Sequence, residues 1–367
     1  MIRSTIRRGL VPGIAALALT LTACGAGNED SGSGSGSTDS GLSGSIAGGG
    51  ATSQENAQSA WRAGFQTDNP NVDITYDGVG SGTGRENFIN AAYAFAGTDS
   101  AITDDDGELS AAKKRCDNQD VIQVPAYVSP IAVVFNLPGI DSLDLSADVI
   151  AGIFDGSITK WNDPKIAAEN DGVDLPDTTI VPVHRSDDSG TTQNFTDYLE
   201  QAGGWKYPND DTWPSDISGG ESADGTSGVV GLVTDNEGYV GYADNSAAGD
   251  LGKVSIKVGS AYVAPGEEAA AKALAVSKLA DGNAATDMAY DIDRTTTEAD
   301  TYPLILVSYL LACPTYPSDQ ADVVKSFLEY VVSDAGQQAA ADAAGSAPLD
   351  PSVSEQATKI LDGITAQ

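Results

Sequence analysis

The feature of the sequence that most restricts the fold is a repeated alternation of short apolar strands, glycine-rich loops and helical stretches. Three loops share one design, because each follows a short strand, is rich in Gly, Ser or Thr, and opens a helix; they span residues 48–53, 80–84 and 186–191. Such alternation predicts an α/β protein with a mostly parallel sheet flanked by helices. Open sheets of this kind bind ligands at the carboxyl ends of their strands, where these loops would lie.

Two further stretches indicate a core and a crossing point. Residues 304–311 form an apolar run that is too short for a membrane span and suits a buried central strand. Residues 121–136 form a long extended stretch that contains Pro125 and Pro130. Because proline cannot donate to a strand ladder, it indicates an edge strand or a crossing segment. We interpret this stretch as a passage between two domains, for which the chain is long enough.

The amino terminus indicates secretion and a lipid anchor. Three arginines precede an apolar run at residues 10–21, which is typical of a signal peptide over residues 1–23 and too short for a membrane span. Small residues precede Cys24, as in a lipoprotein cleavage box, so we expect Cys24 to carry lipid; an ordinary signal peptide with a chance cysteine is the alternative. Residues 24–44 would form a flexible lipidated tether. Stable anchoring would need more than one acyl chain.

The composition is strongly acidic, with 53 Asp and Glu against 19 Lys and Arg and a formal net charge of -34. Such a charge argues against nucleic acid as a partner, since the phosphate backbone would be repelled. Small anions would also be repelled at long range. An anion site on this chain therefore has to work through fixed hydrogen-bond donors at short range.

Two cysteines remain once Cys24 is assigned to lipid. Cys116 and Cys313 form an even pair in an oxidising compartment, which favours a disulfide, and two buried free thiols are the alternative. The chain has one histidine, His184, and no Cys/His cluster with zinc spacing. We therefore expect neither a metal nor another cofactor.

The three glycine-rich loops are candidate anion sites. A helix N-terminus exposes unpaired N–H groups and the positive end of the helix dipole, and nearby hydroxyls add donors. Ser or Thr before a helix is more often only a cap, so one such loop alone is weak evidence. Arg185 strengthens the third loop, because a guanidinium pairs two phosphate oxygens at once, and Asp187 could hold it in position. A surface salt bridge is the alternative for Arg185.

Asp99, which ends another short strand, is unexpected in an anion site. A carboxylate repels an anion and cannot donate a hydrogen bond, but it can accept one. Phosphate near neutral pH still has a proton to donate, whereas sulfate has none. A buried Asp99 would therefore admit phosphate. It would reject sulfate, because sulfate has no proton to give and the buried carboxylate would be left unpaired beside another negative charge. An ordinary N-cap or turn residue is the alternative.

The motifs at these loops resemble those of one family, the phosphate-binding proteins of high-affinity phosphate ABC transporters. The resemblance covers almost the whole mature domain, and several motifs in the right order are far more specific than any single one. The most specific is HRSDDSGT at residues 184–191. The other matching segments are GGGAT at 48–52, GVGSG at 78–82, GTD at 97–99, GSITKWNDP at 156–164 and PLDPSV at 348–353.

The resemblance implies a two-lobed periplasmic-binding-protein fold of type II, in which each lobe is a mostly parallel sheet flanked by helices. The ligand would lie in the cleft between the lobes. Lobe 1 would comprise residues 45–126 plus 256–367, and lobe 2 residues 127–255. The resemblance also implies a set of phosphate-binding residues, which are Thr52, Ser53, Ser81, Asp99, Arg185, Asp187, Ser189, Gly190 and Thr191.

The family pattern assigns a role to each residue from lobe 1. Thr52 would donate through its hydroxyl, and Ser53 through its backbone N–H. Ser81 would donate from the second loop, and Asp99 would accept the phosphate proton. Ser53 is a departure, since relatives often carry Phe there; a backbone donor survives this change, but the packing at the lip of the cleft would differ.

The residues from lobe 2 would supply the charged contact and a helix N-terminus. Arg185 would bind the ligand and Asp187 would orient it, while residues 189–191 would complete the cradle. Asp188 is a second departure, because relatives often carry Gly there, and its charge could weaken affinity. The acidic insertion at residues 206–228 has no clear counterpart, and the sequence assigns it no role.

The resemblance predicts an extracytoplasmic lipoprotein, and not an enzyme, that captures inorganic phosphate as a monomer and delivers it to the permease of an ABC transporter. Three alternatives stay open. A secreted phosphatase would need a nucleophile and a base, and Ser189 or Ser186 with His184 is the only visible pair. The second is a binding protein for another oxyanion, such as sulfate, molybdate or a phosphonate. The third is an adhesin or structural lipoprotein with a degenerate site.

Overall fold

The computed structural model describes residues 41–104 and 107–367. The expected signal peptide, the lipid-bearing Cys24 and tether residues 24–40 lie outside the described residues. Within the described ranges, no helix is both long enough and apolar enough to cross a membrane. The first regular element starts at Gly44, close to the point where the tether was expected to end.

The described residues form fifteen strands, most of them short. They are β1 (Gly44–Gly50), β2 (Val72–Gly78), β3 (Phe95–Thr98), β4 (Ile122–Phe135), β5 (Ser142–Leu145), β6 (Val181–Arg185), β7 (Glu221–Ala223), β8 (Tyr239–Asp244), β9 (Gly252–Val258), β10 (Ala261–Val263), β11 (Lys278–Leu279), β12 (Tyr290–Asp291), β13 (Ile305–Ala312), β14 (Thr315–Tyr316) and β15 (Thr365–Ala366).

Eleven α-helices alternate with these strands in the described ranges. They are α1 (Glu55–Asp68), α2 (Ser81–Ile89), α3 (Glu108–Arg115), α4 (Ala147–Phe154), α5 (Pro164–Glu169), α6 (Gly190–Gly203), α7 (Gly225–Asp235), α8 (Glu267–Val276), α9 (Ala321–Val332), α10 (Asp334–Ala344) and α11 (Pro351–Leu361). Two 3₁₀ turns, Thr52–Gln54 and Asn245–Ala247, follow β1 and β8.

Local sequence explains where several helices begin and end. Ser189 caps α6, because its side chain accepts from the N–H of Thr192, and Gly204 ends that helix in the left-handed conformation. Asp350 caps α11, which begins with Pro351. Proline suits this first helical position, since its missing N–H has no acceptor there and its ring presets φ.

One eleven-stranded sheet within the described residues organises the fold, with the order β2-β1-β3-β13-β4-β8-β6-β7. β9 also pairs with β4, and β5 and β10 pair with β9. β1 pairs in parallel with β2 and β3, and β6 pairs in parallel with β7 and β8. β13 runs antiparallel to both β3 and β4. The sheet is therefore mixed, and the strands that precede the glycine-rich loops are among its parallel strands.

β4 joins two halves of this sheet. Its residues up to Pro130 pair with β13, and those from Ile131 onward pair with β8. A register shift between Ser308 and Tyr309 lies opposite Pro125, which has no N–H for the ladder. β4 is therefore the crossing strand that its prolines indicate and not an edge strand.

We call the half that contains β1, β2, β3 and β13 the first lobe, and the half that contains β5 to β10 the second lobe. The expected lobe boundaries after residues 126 and 255 fall inside β4 and β9, which run through them without a break. The boundaries stay a prediction.

Each lobe has aromatic packing of its own. Phe65 and Phe327 meet edge to face at 5.5 Å between ring centroids in the first lobe. Phe195 and Tyr242 stack at 4.3 Å in the second lobe. The first lobe also contains a Cys116–Cys313 disulfide, as predicted, which joins the end of α3 to the end of β13.

Candidate functional site

The three glycine-rich loops converge at the junction of the two lobes. Thr52 and Ser53 follow β1, Ser81 opens α2 after β2, and Asp99 follows β3. Because these strands are parallel, their carboxyl ends lie at one edge of the sheet. Thr191, in the first turn of α6, faces them from the second lobe, and its hydroxyl donates to Asp99 Oδ2 at 2.8 Å.

Asp99 is the centre of the hydrogen-bond network and is only 3% exposed. Its Oδ1 accepts from the hydroxyls of Ser53 and Ser308, both at 2.6 Å. Its Oδ2 accepts from the hydroxyl of Thr191 at 2.8 Å. A carboxylate offers about four lone-pair sites, two on each oxygen. These contacts fill Oδ1 and leave room for one more donor on Oδ2.

Gly190 brings the start of α6 directly against the first lobe. A Cβ at this position would lie 2.8 Å from Ser81 Oγ, from Asp99 Cβ and from the N atom of Ser100. Glycine is therefore required for the two lobes to approach this closely. The Ser81 hydroxyl accepts from the N–H of Asp99 at 3.1 Å, so the second and third strands of the first lobe are joined at the same point.

Arg185 is buried at the end of β6 and is held by Asp187. Its Nε donates to Asp187 Oδ1 at 2.7 Å, and its Nη2 donates to Asp187 Oδ2. Within the described residues, the guanidinium donates to Asp187 alone, so Nη1 remains for a ligand. Burial by itself would raise the pKa of Asp187. The hydrogen bond from Arg185, the positive charge of Arg185 and the hydrogen bond from the N–H of Gly225 together outweigh burial, so the pKa of Asp187 is lowered overall.

Ser189 has a structural role in addition to its place in the predicted cradle. Its hydroxyl accepts from the N–H of Thr192 at 3.2 Å, and its own N–H donates to the backbone oxygen of Asp211 at 2.9 Å. The N–H groups of Gly190 and Thr191 belong to the first turn of α6, which has no intrahelical acceptors for them. These two groups are the donors that α6 offers to an anion.

The contacts above place the predicted site residues together at the junction of the two lobes, which we call the crevice, although their roles toward a ligand stay a prediction. It also adds residues that the sequence analysis missed. Ser308, on β13, donates to Asp99 Oδ1 and accepts from Gln54 Nε2 at 2.6 Å. Its position follows from the antiparallel pairing of β3 with β13, which no local pattern reveals.

Thr226 is the second missed residue. It lies in the first turn of α7, directly after β7, and its hydroxyl is 2.9 Å from that of Thr52. The segment from Glu221 to Thr226 has the same strand–loop–helix design as the three loops identified from the sequence. That design was the available signal, but it fell within residues 206–228, which looked like a surface insertion.

This insertion packs against both lobes. Asp211 Oδ2 accepts from Nη2 of Arg85 at 2.7 Å, and Arg85 is held in the first lobe by Glu108, also at 2.7 Å. Trp213 stacks on His184 in the second lobe, with 4.8 Å between ring centroids. The insertion therefore forms a bridge across the cleft beside the site.

The two departures from the family pattern have different surroundings. Ser53 uses its hydroxyl to hold Asp99. The side chain of Asp188 is exposed, and its backbone oxygen accepts from the N–H of Gly82 at 3.1 Å across the cleft. A Cβ at position 82 would lie only 2.5 Å from Asp188 Cβ, so this close approach also depends on glycine.

His184 is not arranged as a base for a serine. Its Nδ1 lies 2.9 Å from the backbone oxygen of Arg185, and its ring stacks on Trp213. Burial lowers the pKa of His184, and the contact with Arg185 only partly opposes this shift. No hydrogen bond joins His184 to Ser186 or Ser189 among the described residues.

Comparisons with known proteins agree with this architecture. Residues 35–335 match the model of a PBP superfamily domain. Phosphate-binding protein PstS2 of Mycobacterium bovis (strain BCG / Pasteur 1173P2) is 32% identical over 343 residues, which cover 89% of this chain and 90% of that protein.

Two solved structures share the fold over most of the chain. One is PfluDING, a high affinity periplasmic phosphate-binding protein bound with phosphate, with a TM-score of 0.70, 23% identity, and coverage of 87% of this chain and 98% of that one. The other, from Clostridium perfringens with bound phosphate, is assigned as a phosphate ABC transporter substrate-binding protein; its TM-score is 0.60 at 19% identity, with coverage of 83% and 100%.

The fold and the interlobe crevice define the chain as a two-lobed α/β protein of the PBP superfamily, which confirms the predicted fold class. The 32% identity to PstS2 extends over 89% of this chain and therefore identifies the family as well as the superfamily. Within this superfamily, the chain belongs to the family of the PstS phosphate-binding proteins.

Proposed function

We propose that this chain captures inorganic phosphate between its lobes and delivers it to the permease of an ABC transporter. The observation that carries the proposal is the contact of Asp99 with Thr191 at 2.8 Å, since it joins the carboxylate of one lobe to the helix N-terminus of the other. Arg185, held by Asp187 on the same side of the crevice, supplies the positive charge. The PstS relatives, named for phosphate binding, support the same ligand.

The donors and acceptors around Asp99 favour phosphate over sulfate. Two hydroxyls fill Oδ1, and Thr191 takes one position on Oδ2, so Oδ2 is the atom that would accept the ligand proton. Sulfate has no proton at neutral pH, and one of its oxygens would face a buried carboxylate. The resulting repulsion and the unpaired buried charge would exclude it.

The binding energy would come from short-range contacts. The net charge of -34 repels an approaching anion, so long-range steering does not help capture. Arg185 would form charge-assisted hydrogen bonds through Nη1, and the N–H groups of Gly190 and Thr191 would add the positive end of the α6 dipole. Closure of the lobes over the anion would expel water and strengthen each of these contacts.

Delivery follows from the two-lobed fold. Bound phosphate would favour the closed arrangement of the lobes, and the permease would recognise that arrangement. We further propose that residues 1–23 are a signal peptide and that Cys24 carries the lipid that anchors a monomeric protein to the outer face of the cell membrane. In this proposal, residues 45–126 with 256–367 move as one lobe and residues 127–255 as the other.

Isothermal titration of the purified protein with phosphate and with sulfate tests the proposal. We expect 1:1 binding of phosphate and little competition from sulfate. Arg185→Ala should abolish binding, whereas Lys165→Ala should not, because Lys165 is exposed and lies outside the crevice. Equal affinity for both anions would refute the role of Asp99, and a wild-type protein that fails to bind phosphate would refute the function itself.

A further inference from the structure

The first turn of α7 contacts one residue of the proposed phosphate cradle from each lobe. Thr52 Oγ1 lies 2.9 Å from Thr226 Oγ1 and also accepts from the N–H of Thr226 at 3.2 Å. The N–H of the adjacent Gly225 donates to Asp187 Oδ1 at 3.1 Å. Thr52 and Thr226 are both buried. One short segment therefore holds Thr52 from the first lobe and the carboxylate that orients Arg185 in the second.

The contact with Thr226 determines whether the Thr52 hydroxyl can donate its hydrogen to a ligand. A hydroxyl has one hydrogen to donate and two lone pairs to accept. The N–H of Thr226 occupies one lone pair of Thr52 Oγ1. If the Thr226 hydroxyl donates to the other lone pair, Thr52 can act only as a donor. If Thr52 instead donates to Thr226, its hydrogen is no longer available to a ligand.

A bound anion would favour the arrangement in which Thr226 donates to Thr52, because an anion accepts hydrogen bonds and needs the hydrogen of Thr52. A ligand oxygen would take the hydrogen of Thr52, and the hydroxyl of Thr226 would then turn to donate to Thr52 Oγ1. The resulting chain of hydrogen bonds runs in one direction, from α7 through Thr52 to the ligand. Hydrogen bonds arranged in this way polarise and strengthen one another.

We propose that Thr226 is a positioning residue of the phosphate site, which makes the Thr52 hydroxyl an obligatory donor across the closed cleft. This inference rests on the phosphate-binding function proposed above. Thr226 acts through Thr52 and needs no contact of its own with the ligand. The role therefore depends on the hydroxyl at position 226 and not on the size of the side chain.

Titration calorimetry with phosphate on a set of variants tests this role. Thr226→Val keeps the branched shape but removes the hydroxyl, and we expect about five- to tenfold weaker binding, as for one lost hydrogen bond. Thr226→Ser keeps the hydroxyl and should bind within about twofold of the wild type. Adding Thr226→Val to Thr52→Val should cost no further affinity, because the pair acts as one unit.

The outcomes separate this inference from the proposed function. Wild-type affinity in Thr226→Val, an equal loss in Thr226→Ser, or additive losses in the double variant would each overturn it. If the wild-type protein bound no phosphate, the function itself would fail first. Thermal unfolding without phosphate checks that each variant is folded, and Thr226→Ala, with the same expected loss, replaces Thr226→Val if the latter does not fold.

Discussion

Asp211→Asn is expected to weaken phosphate binding about five- to tenfold while leaving the stability of the phosphate-free protein almost unchanged. Asp211 Oδ2 accepts from Nη2 of Arg85 at 2.7 Å, and the side chains of Arg85 and Asp211 are only 8% and 16% exposed. Arg85 lies on α2 of the first lobe, and Asp211 precedes β7 in the second. With the lobes divided as proposed, the pair would stabilise the closed arrangement and would be lost when the cleft opens.

The magnitude follows from the partners of Arg85. A hydrogen bond to a charged group contributes about 1.5–3 kcal/mol, and Asn keeps an acceptor oxygen, so about half of this should be lost. Glu108 still pairs with Nε of Arg85 at 2.7 Å, and Arg85 therefore keeps one counter-charge. The larger penalty for an unpaired buried charge, about 3–5 kcal/mol, does not apply. A loss of about 1–1.4 kcal/mol in the closed state alone lowers apparent affinity five- to tenfold.

Glu108→Gln is the matched control, because it weakens a pair of the same length with the same Arg85 but within one lobe. With the lobes divided as proposed, that pair would persist in both the open and the closed arrangement. Glu108→Gln should therefore lower the melting temperature without phosphate and leave affinity within about twofold. Titration calorimetry and thermal unfolding of both variants give the comparison. If Asp211→Asn lowered the melting temperature and left phosphate affinity unchanged, the pair would not distinguish the two arrangements, and the reasoning would be wrong.

Three further changes have distinct expected results. Gly190→Ala should weaken phosphate binding at least about tenfold in titration calorimetry, because its Cβ meets three atoms at 2.8 Å; Gly231→Ala, with nothing within 4 Å, should not. Burial raises the pKa of Asp244 to about 6 from 3.8, so the folded protein binds this proton more tightly than the unfolded chain and gains stability as pH falls from 7 to 4. Asp244→Asn should remove up to about 3 kcal/mol of that dependence in thermal unfolding across this range, and an unchanged pH profile would contradict the shift. Replacing both Cys116 and Cys313 by Ser should destabilise the protein by about 2–5 kcal/mol in denaturant unfolding while phosphate affinity stays the same; a lost affinity would mean that the bond also shapes the crevice.

The parts of the site that could be predicted from the sequence depend on neighbouring residues. Asp187 follows Arg185 by two positions, and a bidentate pair at the end of a strand needs no distant partner. Ser189 can cap a helix that starts with Gly190, because the cap uses only the next turn. The α/β class was predictable for the same reason, since the alternation of strands, loops and helices is a local pattern repeated along the chain; the two-lobed arrangement was implied by the family resemblance.

What the sequence by itself determined, then, was which segments become most of the strands and helices, and which three loops present donors at helix N-termini. Only the tertiary structure decided which residues meet across the cleft. Ser308 reaches Asp99 over 209 positions, Thr226 reaches Thr52 over 174, and Asp211 reaches Arg85 over 126. Periodicity assigns a side chain to one face of an element, but it does not set the register or the partner of that element. Those are set by the packing of the whole chain, in which β13 comes to lie beside β3 and α7 opposite the loop after β1.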